Sequence, residues 1–181
     1  MMNKKIFLIA GLLTGSFAFA QAQTEISFEN DFAQDFYPVW QRAGAYMLET
    51  AEAMPEELYS YQPSEDIFTF AEQLMHVAAN LHFLNASYVS ETELPEIDTD
   101  AEGKSKEEII AILRDAIHEV DLSYQALTAS EDEAEVNLFN RTPTNKRRVL
   151  MLMRDHMTHH RGQLVIYLRL NGIEPPRYVG W

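Results

Sequence analysis

The sequence predicts an all-α chain: a four-helix bundle preceded by a cleaved leader. Apolar residues recur at spacings of three and four in four separate segments, which is the period of one helical face. Two of those segments open on Ser/Thr-x-x-Glu, the pattern in which a side chain and a backbone amide satisfy each other at a helix start. No alternation of apolar and polar residues runs longer than a few positions, so no sheet is expected.

Residues 1–22 read as a signal peptide. Lys4 and Lys5 precede an apolar stretch from Ile6 to Ala20, and small residues follow at alternate positions, giving cleavage after Ala20 or Ala22. The stretch is short for a membrane span and is interrupted by Gly11, Thr14, Gly15 and Ser16. Residues 23–181 are then one domain, expected to be exported to the periplasm or secreted, with no membrane contact after cleavage.

The first helix is expected from about Phe28 to Met54, with Phe32, Phe36, Val39, Trp40, Ala43 and Met47 in its stripe. Asn30 and Asp31 are candidate caps. Pro38 lies inside the pattern and predicts a kink, or a helix that starts there. A connector with Pro55 and Pro63 leads to the second helix, Thr69 to Ser90, opened by Thr69 and Glu72. An acidic loop with Pro95 and Gly103 follows. Ser105 and Glu108 open the third helix, which reaches about Thr128 on a seam of Ile110, Leu113, Ile117, Val120 and Tyr124. Val136 to Phe139 is read as a short extra element in the next link. The fourth helix starts near Asn145 and ends at Gly172, and Pro175-Pro176 prevents its continuation.

Composition narrows the function. With 46% hydrophobic and 23% charged residues the chain is globular rather than disordered. A formal charge of −14, from 14 basic and 28 acidic residues, repels phosphate backbones and argues against nucleic acid as a partner. There is no cysteine, which removes disulfides, thiolate zinc sites and a Cys nucleophile.

Chemistry concentrates in "RDHMTHHRGQ", residues 154–163. His156 and His160 fall inside the apolar stripe of the fourth helix, between Met153 and Leu164. A spacing of four puts both imidazoles on one face, one turn apart, where they can converge on one ion. His159 is rotated by about 100° from His160, towards the polar side. Two imidazoles on a buried stripe each need a polar partner. A third ligand would come from another helix. His76 and His82 flank the stripe of the second helix on opposite sides, and register does not choose between them. His118, among Asp115, Glu119 and Asp121, reads as a surface histidine.

Gln73, Asn80, Asp155 and Gln163 are in register to orient the imidazoles. Arg161 reads as half of an ion pair near the helix end. Tyr46, Tyr167 and Trp40 are candidates for a pocket wall, a core role being the commoner one for aromatic stripes. Position 157 is Met, so this is no HExxH helix; Glu-x-x-His pairs, a Gly-rich phosphate loop and a GxSxG elbow are all missing from the sequence.

Three stretches together, "MPEELYSYQP", "TFAEQLMHVA" and "DHMTHHRGQLVIYLRLNGIEPP", resemble the DinB/YfiT-like four-helix-bundle superfamily. The resemblance spans essentially the whole domain. It implies a divalent metal held by one histidine of the second helix and two of the fourth, here His76, His156 and His160. It also implies a metal-dependent hydrolase or transferase acting on an unknown small molecule, family members including metal-dependent thiol transferases and a mycothiol-dependent isomerase. The alternative is a non-catalytic metal- or ligand-binding bundle whose metal is structural. Zinc, nickel and iron all suit imidazole. Dimerisation through helix faces is a further implication of the resemblance.

Overall fold

The computed structural model describes residues 26–94, 96 and 99–180; the leader lies outside them. Four helices form: α1 (Asp31–Ala53), α2 (Phe70–Tyr88), α3 (Lys106–Ala126) and α4 (Lys146–Leu170). Among the described residues no helix is long and apolar enough to cross a membrane.

The helix starts follow the local chemistry. The Asn30 side chain accepts from the Ala33 amide at 3.0 Å and caps α1. Thr69 and Glu72 form both halves of a capping box, at 3.1 and 2.7 Å, and Ser105 and Glu108 do the same for α3, at 3.3 and 2.8 Å. Asn145 caps α4 through the Arg148 amide. At the end of α4 the Ile173 amide returns to the Leu168 carbonyl and the Gly172 amide to Arg169. This reversal needs a left-handed residue, and Gly172 supplies it at φ 72°.

Pro38 does not break α1, which runs through it. The proline is on the exposed side, so the carbonyl of Gln34 that loses its amide partner is left towards water.

The helices run up, down, down, up. Along α1 and α4, Arg147 stacks on Phe32 and Arg161 on Tyr46, so these two are parallel. Between α2 and α4 the order reverses: His76 meets His156, Gln73 meets His160, and Phe70 meets Tyr167. Each of α1 and α2 packs on both α3 and α4. The core is filled by Trp40, Met47, Phe70, Leu74, Leu113 and Tyr124, with Met153, Met157 and Leu164 closing it from α4. Large apolar side chains of this kind contribute about 1.5–3 kcal/mol each on burial. At Gly44 an added Cβ would lie 3.0 Å from Ile117 Cγ2, so glycine sets how closely α1 approaches α3.

One element departs from the all-α expectation. Glu135–Leu138 (β1) and Thr142–Asn145 (β2) pair antiparallel, Glu135 opposite Asn145 and Leu138 opposite Thr142. The three-residue loop 139–141 holds Phe139 and Asn140 at φ 53° and 56°, in the left-handed region. A bulky residue is uncommon there. The Phe139 amide donates to the Tyr88 hydroxyl at 3.0 Å, and its ring stacks on Phe83 at 6.1 Å. The helical scaffold thus holds a turn that no glycine announces.

Candidate metal centre

His76, His156 and His160 converge between α2 and α4. Their rings offer nitrogens within 4.8 Å of one another, and among the described residues no carboxylate joins the group. His76 Nε2 lies 3.2 Å from His156 Nε2, which lies 3.1 Å from His160 Nε2. Each of these two separations suits an edge of a coordination polyhedron whose metal–nitrogen bonds are about 2.0–2.1 Å. His160 is buried, and His76 and His156 are half-buried.

The network behind the triad fixes which nitrogen faces inward. His160 Nδ1 stands 2.6 Å from Gln73 Oε1. The amide nitrogen of Gln73 donates to Gln163 Oε1 at 2.7 Å, which turns the Gln73 oxygen towards the imidazole. An oxygen accepts only from a protonated nitrogen, so His160 carries its proton on Nδ1 and a lone pair on Nε2. Gln163 in turn donates to His159 Nε2 at 2.9 Å. His156 Nδ1 is sealed from solvent with no partner.

Electrostatics favours the neutral form of all three rings. Burial lowers the pKa of His76. Burial, and then the charges of His76 and His159, pushes His156 down to about 4. Burial, and then His156, His76 and His159, pushes His160 down to about 3. At neutral pH the rings present lone pairs, the form that ligates. The donor set and its protonation both fit a divalent ion.

The candidates named from sequence separate cleanly. His82 faces away, 2.7 Å from Glu119 on α3. His118 is exposed. His159 is exposed and tied to Gln163. Of the four orienting candidates, Gln73 contacts His160 directly and Gln163 acts through Gln73. Asp155 instead faces solvent and bonds Arg154 at 3.2 Å. Asn80 lies one turn after His76, its Oδ1 buried without a partner. Trp40 is core and donates to Asp121 at 2.8 Å. Tyr167 is buried; its hydroxyl bonds the Phe68 carbonyl at 2.8 Å. That contact pins Phe68, 48% exposed and 5.6 Å from the His76 ring, at the rim of the site. Nothing in the local pattern singled out Phe68, which lies in the connector before α2. Arg161 departs from its expected ion pair: it is buried and stacks on Tyr46 at 4.1 Å, with no acidic partner among the described residues.

Comparison with known proteins fits this architecture. An uncharacterised protein of Bacillus subtilis (strain 168), YjoA, is 29% identical over 136 residues, which is 68% of this chain and 80% of the relative. The crystal structure of YjoA superposes with a TM-score of 0.62 at 24% identity, covering 84% of this chain and all of that one. A DinB-like protein from Bacillus cereus ATCC 10987 superposes with a TM-score of 0.67 at 17% identity, over the same shares. The family model described as "DinB family" matches residues 28–180, nearly the whole described chain, and the chain therefore belongs to the DinB family.

Proposed function

We propose that this chain is an exported DinB-family protein that binds one divalent metal through His76, His156 and His160. In this reading it uses the metal as a hydrolase or transferase of a small molecule. The observation that carries the proposal is the convergence of three neutral imidazole nitrogens with no fourth histidine or carboxylate among the described residues. Closed structural sites use four protein ligands, whereas catalytic ones keep a position open. A divalent ion held there supplies Lewis acidity to whatever occupies that position.

The chain's own groups have defined parts in this reading. Gln73 holds His160 in the ligating tautomer, and Gln163 holds Gln73. Phe68 offers an apolar wall beside His76, where a substrate's carbon skeleton can rest. The proposal of export rests on the leader, residues 1–22.

Elemental analysis of untagged protein tests the metal. The expected result is about one divalent ion per chain, retained in His118→Ala and lost in His156→Ala. A metal-free preparation whose melting temperature ignores added zinc, nickel and iron would refute the reading. The structure of the loaded centre tests catalysis: a fourth protein ligand on the ion would reassign the site as structural.

A further inference from the structure

Arg161 is 9% exposed, yet among the described residues it makes no hydrogen bond and no ion pair. Its one polar neighbour of note is the Tyr46 ring, 4.1 Å from the guanidinium carbon. A buried charge without a counter-charge is costly, and the chain has 28 acidic residues from which a partner could have been drawn. The omission is one of placement rather than of supply.

The surroundings point the same way. Arg161 and Arg154 lie two turns apart on the edge of α4 that faces α1. The charges felt at Arg161 come from Tyr46, Arg154 and Tyr178, with no carboxylate among them. Arg42 stands one turn before Tyr46 on α1, and it too has no acidic partner among the described residues. Three polar atoms of this edge are sealed from solvent and unbonded: Arg42 Nε, Arg154 Nε and Thr158 Oγ1. No nitrogen of Arg161 is among the sealed atoms, so its unbonded N–H groups reach solvent. The C-terminal segment lies beside this edge, where the Tyr46 hydroxyl donates to the Pro176 carbonyl at 3.3 Å.

We propose that the accessible N–H edge of Arg161, at the seam of α1 and α4, is an oxyanion-binding site separate from the histidine triad, with Arg42 one turn away on α1. Stacking on Tyr46 fixes the plane of the guanidinium and leaves its edge free for two parallel N–H···O bonds. A ligand presenting two oxygens, a carboxylate or a phosphate, matches that edge. The site does not depend on the metal, because it lies on the opposite edge of α4 from His156 and His160.

Thermal melts of the full chain in phosphate, in succinate and in sodium chloride of matched ionic strength test the proposal. The expected result is a saturable rise with phosphate, succinate or both, of roughly 3–6 °C at ten times Kd. A response to succinate alone assigns a carboxylate, to phosphate alone a phosphate, and to both the shared chemistry. Arg161→Gln should abolish the rise, and His156→Ala should keep it. If Arg161→Gln does not fold, Arg161→Lys and Arg42→Gln take its place, each expected to weaken binding at least several-fold. No rise beyond that of chloride, an equal rise in the arginine variants, or loss of the rise in His156→Ala would each overturn it.

Discussion

The two long edges of α4 carry the same kind of residue to opposite ends. On the edge facing α2, His156 and His160 are pushed by burial to pKa values of about 4 and about 3 and shed their charge. On the edge facing α1, Arg161 is buried as deeply as His160, but a guanidinium cannot lose its proton at accessible pH. One helix thus presents a cluster of Lewis bases on one side and an unpaired cation on the other. The difference teaches that burial is not one signal. For a group that titrates near neutrality it exposes a lone pair, the form a metal can take, and for one that does not it keeps a charge that calls for an anion.

The largest effect expected on this contrast is loss of metal. His76→Ala, His156→Ala and His160→Ala should each bring metal content from about one ion per chain to near zero, while His118→Ala leaves it unchanged. Equal behaviour of all four would erase the distinction between the triad and the surface. Next is the support behind it: Gln73→Leu removes the acceptor of the His160 proton and should weaken metal affinity by about 10–100-fold without abolishing binding. Titration with a competing chelator measures it, and an unchanged affinity would remove Gln73 from the centre.

Acid gives a smaller and more diagnostic effect. The folded-state pKa values of His156 and His160 lie below the unfolded value of 6.5, so the folded chain binds fewer protons. Their stabilising contribution is complete above pH 6.5 and is lost as pH falls through about 4 and then about 3. The melting temperature of metal-free protein should therefore fall more steeply between pH 6.5 and 4 than that of a His156→Ala/His160→Ala double variant. Parallel curves would mean the rings are not held neutral. The smallest effect belongs to the other edge. Arg161→Met, in buffer without oxyanions, should raise the melting temperature by about 2 °C, because it removes a buried charge and keeps its volume. A fall would show that the free chain already satisfies the guanidinium.

Much of this was legible in the residues, for reasons that differ by element. Asn30, Thr69, Ser105 and Asn145 cap the helices by contacts spanning three residues, so the sequence contains them whole. Of the hairpin only an extra element at Val136 to Phe139 was legible; its turn was not, because Phe139 at positive φ is held by Tyr88 and Phe83, more than fifty residues away. His156 and His160 were readable from their spacing. The choice of His76 over His82 was not, since it depends on which flank of α2 meets α4 and which meets Glu119 on α3. Resemblance to the family supplied the choice, and the fold brings His76 rather than His82 beside His156 and His160. The ion pair expected for Arg161 near the helix end does not form, because among the described residues no carboxylate of the folded chain reaches it.

The antiparallel meeting of α2 and α4 brings together residues 80 apart, His76 and His156. An ion bound across them would close a loop of that size, as a disulfide does. On a chain-entropy model such a closure is worth about 4.5 kcal/mol. In a protein with no cysteine, this would be a removable cross-link, undone by a chelator rather than a reductant.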